Sequence, residues 1–225
     1  MQFFSYLING ISLGSVYALI ALGYTMVYGI AKMLNFAHGD VIMIGSYVVY
    51  FAFGASGLNP VLSIVLSMIV CTILGVVIER LAYRPLREAP SLAVLITAIG
   101  VSYLLQQVAQ LSWSSNPKSF TSVVSGMKPV SLFGGQLTIS AETIVTIVAC
   151  VVIMVVLMWF VNYTPAGHAM LAVSEDRGAA QLMGVNVNGT ISLTFAIGSA
   201  LAAIAGALLC SSYPTLQPTT GAMPG

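Results

Sequence analysis

From Val41 to Ile78 the chain carries no Asp, Glu, Lys or Arg. A helix that crosses a bilayer needs about 20 predominantly apolar residues, so this run is long enough for two passes. The cluster GASGLNP at Gly54–Pro60 divides it, because Gly and Pro punctuate helices. The division predicts helices over Val41–Phe53 and Pro60–Ile78, the first of them short for a full span. Other charge-poor runs predict helices at about Leu7–Ala31, Ser91–Leu111, Thr143–Val161 and Ile191–Ser211. The chain as a whole has seven Lys and Arg and six Asp and Glu, and charged residues are 6% of it. A soluble domain carries roughly 25%. That is too little charge to cover a water-facing surface, and no polar run marks a second domain. The fold class is therefore all-α, a polytopic α-helical membrane protein with about six membrane helices in one transmembrane domain over residues 1–225.

The opening MQFFSYLING has no Lys or Arg, and its charge-free run extends to Ala31. A signal-peptide core is about 7–15 residues, so this stretch is read as a retained first span. The net charge of +1 suggests no nucleic-acid partner. Cys71, Cys150 and Cys210 lie inside apolar runs and read as small packing residues.

Orientation follows from Lys and Arg in short loops, which favour the cytoplasm. ERLAYRPLREAP, Glu79–Pro90, holds Arg80, Arg84 and Arg87, whereas the longer connection Ser112–Glu142 holds only Lys118 and Lys128. The first is predicted inside and the second outside. Parity then places Thr164–Asn186 inside, and the N-terminus outside if Val41–Phe53 crosses. Trp113 and Trp159 fall at helix ends, where aromatic residues favour the interface. Glu142 is expected in the first turn of its helix, where the dipole favours an anion.

Two polar pieces break the pattern. The first is KMLNFAHGD, Lys32–Asp40. One reading is a cytoplasmic turn in which Asn35 and Asp40 cap helices. The other is a broken helix near the bilayer midplane, with Asn35, His38 and Asp40 lining or gating a pathway. The second piece is TPAGHAMLAVSEDRGAAQLMGVN, Thr164–Asn186. Thr164 can cap a helix that begins at Pro165. Ser174 can cap a second, about Glu175–Met183, with Glu175 and Asp176 in its first turn and Gly184 closing it. Ala179, Leu182 and Met183 then share a face. The piece is either an interfacial connector lying on headgroups or a docking element for a soluble partner.

Catalytic chemistry finds no foothold. There is no GxxxxGK[ST] phosphate loop, and His38 and His168 have no second ligand at zinc-like spacing, so no catalytic residue, metal site or cofactor is expected in this chain. An ion-coupled secondary transporter would want a charged residue in a helix interior, yet apart from Lys32–Asp40 every charge lies in or beside a loop. ISLGSVYALIALG at Ile11–Gly23 echoes ISLTFAIGSALAA at Ile191–Ala203, as in an inverted repeat.

GISLGSVYALIALGYTMVYGIAKMLNFAHGD, with IERLAYRPLR at Ile78–Arg87, SEDRGAAQLMGVN at Ser174–Asn186 and GALL at Gly206–Leu209, resembles the membrane permease subunits of branched-chain amino acid ABC importers of the LivH type. The likeness covers essentially the whole chain. Urea and short-amide permeases are close relatives and remain an alternative. The resemblance implies an ABC importer permease fold in a multi-pass plasma (inner) membrane protein. It also implies two cytoplasmic ATPase subunits that consume ATP, a second homologous permease subunit and an extracytoplasmic substrate-binding protein. GAAQLMG at Gly178–Gly184 is similar to the core of the coupling loop of ABC importers, with Gly178 where that motif has an acidic residue. The implied coupling loop comprises Ser174, Glu175, Asp176, Arg177, Ala179, Ala180 and Gly184. Where the family commonly has Arg in GHAMLA, this chain has Leu171. Family members continue past PTTGAMPG into further membrane helices, so the resemblance implies a chain truncated relative to the family.

Overall fold

The computed structural model describes residues 2–87, 89–124, 130–132 and 137–221. Five helical stretches among them are long and apolar enough to cross a membrane: Tyr6–Ala31, Pro60–Leu86, Ser91–Trp113, Ala141–Tyr163 and Val187–Ser212. In chain order the helices are α1 (Gln2–Ala31), α2 (His38–Val49), α3 (Pro60–Ile78), α4 (Ser91–Trp113), α5 (Ala141–Tyr163), α6 (Pro165–Glu175), α7 (Arg177–Leu182) and α8 (Val187–Ser212). A π-helical turn, Tyr50–Ala55, continues α2, and a second, Glu79–Tyr83, continues α3.

α8 is the centre of the bundle, and its sequence explains why. Lipid tails give no hydrophobic drive between helices, so close backbone approach through small residues sets the packing. Gly198, Ala202 and Gly206 recur at a four-residue spacing on α8. A methyl group on Gly206 would lie 2.6 Å from the Ile42 carbonyl of α2, and one on Gly45 would lie 2.9 Å from the Ala203 backbone. Ser67 of α3 donates to the Gly45 carbonyl at 2.8 Å, adding a polar tie in the same seam. α1, α2 and α3 pack around this core, while α4 and α5 present most of their apolar side chains outward. α1 and α8 pack together closely, with Gly198 against Gly23 and Val27.

Short strands lie at one end of the bundle. β1 (Lys118–Ser119) pairs antiparallel with β4 (Thr215–Leu216), and β2 (Val130–Leu132) pairs with β3 (Leu137–Ile139). They fall in, or beside, the connection read from sequence as merely polar. The β1–β4 pair puts Lys118–Ser119 of that connection at the same end as the close of α8, opposite the Arg-rich loop. At the other end Arg87 bonds to Asn188, joining that loop to the start of α8. The relative sidedness predicted from charge is thus kept.

The helix starts show local caps, and the expectations for Glu142 and the cysteines hold. Asn59 caps α3 by accepting from the Val61 N–H at 3.0 Å, ahead of Pro60 at the first helical position. Ser140 caps α5, with Glu142 in its first turn. The three cysteines are buried singly.

Candidate functional site

α1 ends at Ala31, where Lys32 adopts a left-handed backbone, φ 50°. The chain does not turn straight into the next helix. Residues 32–37 run back along the bundle, and their side chains alternate, with Lys32, Leu34 and Phe36 exposed and Met33, Asn35 and Ala37 buried. The alternation ends in a turn at Phe36–Ala37, where Ala37 already has helical backbone angles, φ −71° and ψ −5°, and the His38 N–H bonds to the Asn35 carbonyl at 3.1 Å. Helix α2 begins only at His38, and no side chain caps it. The capping roles open to Asn35 and Asp40 on the turn reading are therefore not taken. Asn35 is 5% exposed, and its Oδ1 accepts from the Tyr83 hydroxyl at 2.9 Å. Asp40 is 1% exposed and accepts from Gln106 Nε2 at 2.9 Å.

These bonds fix the depth of the break. At 1.5 Å per residue, Gln106 stands about 22 Å along α4 from Ser91. His38 packs against Gly23, about 12 Å along α1 from Ala31. Both partners lie well inside the helices. Asn35, His38 and Asp40 then converge on one cavity of about 760 Å³ between α1, α2 and α4. His38 Nε2 has no hydrogen-bond partner in its buried position. The short helix is enclosed by the bundle, as polar backbone at membrane depth requires, and nine of its residues are buried.

The second polar piece lies at the end of the bundle that holds the Arg-rich loop. Thr164 Oγ1 accepts from the Gly167 N–H at 3.0 Å and caps α6, with Pro165 at its first position. The second cap differs from expectation. Ser174 donates to the Leu171 carbonyl, and α6 continues through Glu175. Asp176 caps α7, accepting from the Gly178 and Ala179 N–H groups at 2.7 and 3.0 Å. Both residues are good caps; Asp176 prevails because its backbone is already extended, φ −149° and ψ 114°. Helix α7 is accordingly shorter than the expected Glu175–Met183. Gly184 closes it as predicted, at φ 87°, with Val185 N–H returning to the Ala180 carbonyl and Gly184 N–H to that of Gln181. This is the Schellman pattern.

α7 has two faces. Ala180 is 4% exposed and belongs to the chain's own core, so it is not a surface for a partner. Ala179, Leu182 and Met183 face out, Leu182 at 90% and Met183 at 84% exposure. Arg177 donates to the Ala31 carbonyl, satisfying one of the orphan acceptors that end α1. Burial, and then Arg87 nearby, lowers the pKa of the Arg177 guanidinium. The helix is thereby tied to the end of α1.

Sequence reasoning missed one group. Glu79 is wholly buried. Its carboxylate pairs with Arg87 and accepts from Ser192 Oγ at 2.6 Å, while Arg87 also bonds to Asn188. Arg87 is thus an internal tie between the loop and α8 as well as a topology signal. The only hint in sequence was an opposite-charge pair spanning ERLAYRPLR.

Closely packed small-residue helices, a broken helix that sets buried polar side chains against a largely apolar cavity, and a capped helix with an apolar face at one end define a multi-pass membrane transport protein. Its place is the plasma membrane. The profile of a family described as "Branched-chain amino acid transport system / permease component" matches residues 6–224, and the chain belongs to that family. The high-affinity branched-chain amino acid transport permease protein BraD of Pseudomonas aeruginosa is 42% identical, over 97% of this chain and 74% of its own length. The permease proteins LivH of Salmonella typhimurium and Escherichia coli K12 are 40% and 39% identical, each over 100% of this chain and 76% of its own length. No solved structure matches significantly.

Proposed function

We propose that this chain is the permease subunit of an ATP-driven, binding-protein-dependent importer of branched-chain amino acids, and that it works by alternating access. The substrate class rests on the relatives, whose names specify branched-chain amino acids. The observation that carries the role is the convergence of the buried Asn35, His38 and Asp40, from a break in the helix, on one cavity between α1, α2 and α4. Non-helical backbone at membrane depth lines a pathway or is enclosed by protein.

Hydrolysis belongs to a separate chain. ATP is used by two cytoplasmic ATPase subunits, which dock on α6–α7. The exposed Leu182 and Met183 make the contact, and the Arg177 tie carries its motion to α1. A second, homologous permease subunit covers Phe36, exposed at the cavity. An extracytoplasmic binding protein delivers the substrate to the end bearing β1 and β4.

The test is reconstitution of the complete importer in proteoliposomes with loaded binding protein. ATP-dependent uptake of radiolabelled leucine, isoleucine or valine is expected. If the assembled complex hydrolyses ATP but accumulates none of the three, the substrate assignment fails.

A further inference from the structure

The cavity between α1, α2 and α4 has a chemical bias that its role as a pathway does not require. Among the described residues its wall includes one formally charged side chain, Asp40, and no Lys or Arg. Asp40 is 1% exposed, and the side-chain bond it receives comes from the neutral amide of Gln106. Gln106 is itself held by Ser102 at 3.3 Å. A buried carboxylate without a cation carries a large desolvation cost. Beside it, His38 is 3% exposed, and its Nε2 is a polar atom without a partner. Tyr17, Tyr24 and Tyr103 add aromatic rings to the wall, surfaces that attract a cation. Ile20, Ile42 and Ile99 supply an apolar wall.

We propose that this cavity is a recognition site for the α-ammonium group of an amino-acid zwitterion, held by the Asp40 carboxylate with Gln106 as its positioning residue. The inference rests on the amino-acid permease reading above and deepens it. The ammonium replaces the missing cation beside Asp40, and an aliphatic side chain lies against the isoleucines. The substrate carboxylate meets only neutral donors. Asp40 and His38 alone are too few ligands for a structural metal cage. The cavity therefore discriminates by the amine, accepting a carboxyl-blocked amino acid and refusing a des-amino one.

The experiment uses the complete importer complex carrying I99C as a reporter in the cavity wall, with alkylation by a maleimide followed at that peptide. Leucine and leucinamide, which keep the ammonium, are expected to slow alkylation. 4-Methylpentanoate, which keeps the carboxylate and side chain, is expected to leave it unchanged. In Asp40→Asn the leucine concentration for half-protection should rise about 10- to 100-fold, the scale of a hydrogen bond to a charged group. The rate without ligand should match the parent's. The proposal is overturned if 4-methylpentanoate protects as well as leucine, if none of the three protects, or if Asp40→Asn is protected like the parent. Should Asp40→Asn alter the unliganded rate, the comparison of the three ligands with Asp40 in place decides. Leucine uptake by the unsubstituted complex separates the two levels. Its absence defeats the permease reading, whereas uptake without ammonium-dependent protection defeats only this site.

Discussion

The break at residues 32–40 and the α6–α7 segment depart from the ordinary in opposite senses. The first buries polar and charged groups, Asn35, His38 and Asp40, in the apolar part of the bundle. The second exposes Leu182 and Met183 at the end of the molecule that charge assigns to the cytoplasm. Each arrangement costs stability locally, and such costs gather at functional places. They are supported differently. The break is held from several helices, through Tyr83 and Gln106. The α7 turn is held by its own caps, one buried alanine and one arginine tie. The difference separates a fixed lining from a movable lever, and substitutions can break it at either end.

The largest effect is expected at α7, where the two faces must not behave alike. Ala180→Asp places an unpaired charge in the chain's own core and should cost several kcal/mol, about 3–5. Expression and the melting temperature of the detergent-purified subunit would show it. Leu182→Asp with Met183→Asp touches only exposed side chains and should change stability by less than about 0.5 kcal/mol. ATP-driven uptake should nevertheless collapse in the double variant. Equal melting losses for the two faces would remove the distinction on which the lever rests.

Next in size is the tie between the Arg-rich loop and α8. Glu79→Gln removes the anion opposite Arg87 while leaving its volume. Removing one partner of a buried pair costs about 3 kcal/mol at most sites. A drop in melting temperature with normal membrane insertion is expected, and Arg87→Gln with Glu79→Gln should restore part of it. If the double variant melts no higher than the single, the pair is not the source of the loss.

These contrasts also mark what a linear sequence discloses. The long helices were legible, because charge-free runs and Gly–Pro breaks are local signals. The start of α2 at His38 was not, since His38 and Asp40 read as turn residues until Tyr83, Gln106 and α8 supply their surroundings. Glu79 looked like one more loop charge; its burial depends on Ser192, which only the fold brings near. The strands at Lys118–Ser119 and Thr215–Leu216 were invisible for the same reason, since two residues carry no period. The apolar face of α7 was legible for Ala179, Leu182 and Met183, but Ala180, about 100° further round the helix from Ala179, packs into the chain's own core, which only the fold discloses.

A smaller effect tests how firmly the break is fixed. Tyr83→Phe deletes the hydroxyl that bonds Asn35 and should cost about 1 kcal/mol. Asn35 would keep its burial but lose its tether. If the cavity geometry depends on that tether, half-saturation for leucine uptake rises more than the maximum rate falls. An unchanged melting temperature and unchanged uptake would show that the non-helical segment holds its place without it.

The smallest effect settles which residue caps α7. Asp176 accepts from two amides of its first turn, whereas Ser174 is bonded backwards to Leu171 within α6. Loss of a cap costs about 1 kcal/mol, and a six-residue helix has little propagation to offset it. Asp176→Ala should therefore raise hydrogen–deuterium exchange at the Gly178 and Ala179 amides about fivefold, the equivalent of that cost. Ser174→Ala should leave both rates where they were, since its hydroxyl satisfies a carbonyl that already lies within the α6 ladder. Because the change is confined to one turn, the melting temperature of the whole subunit should hardly register either variant. If Ser174→Ala instead frees those amides and Asp176→Ala does not, the cap belongs to Ser174 and the helix starts earlier.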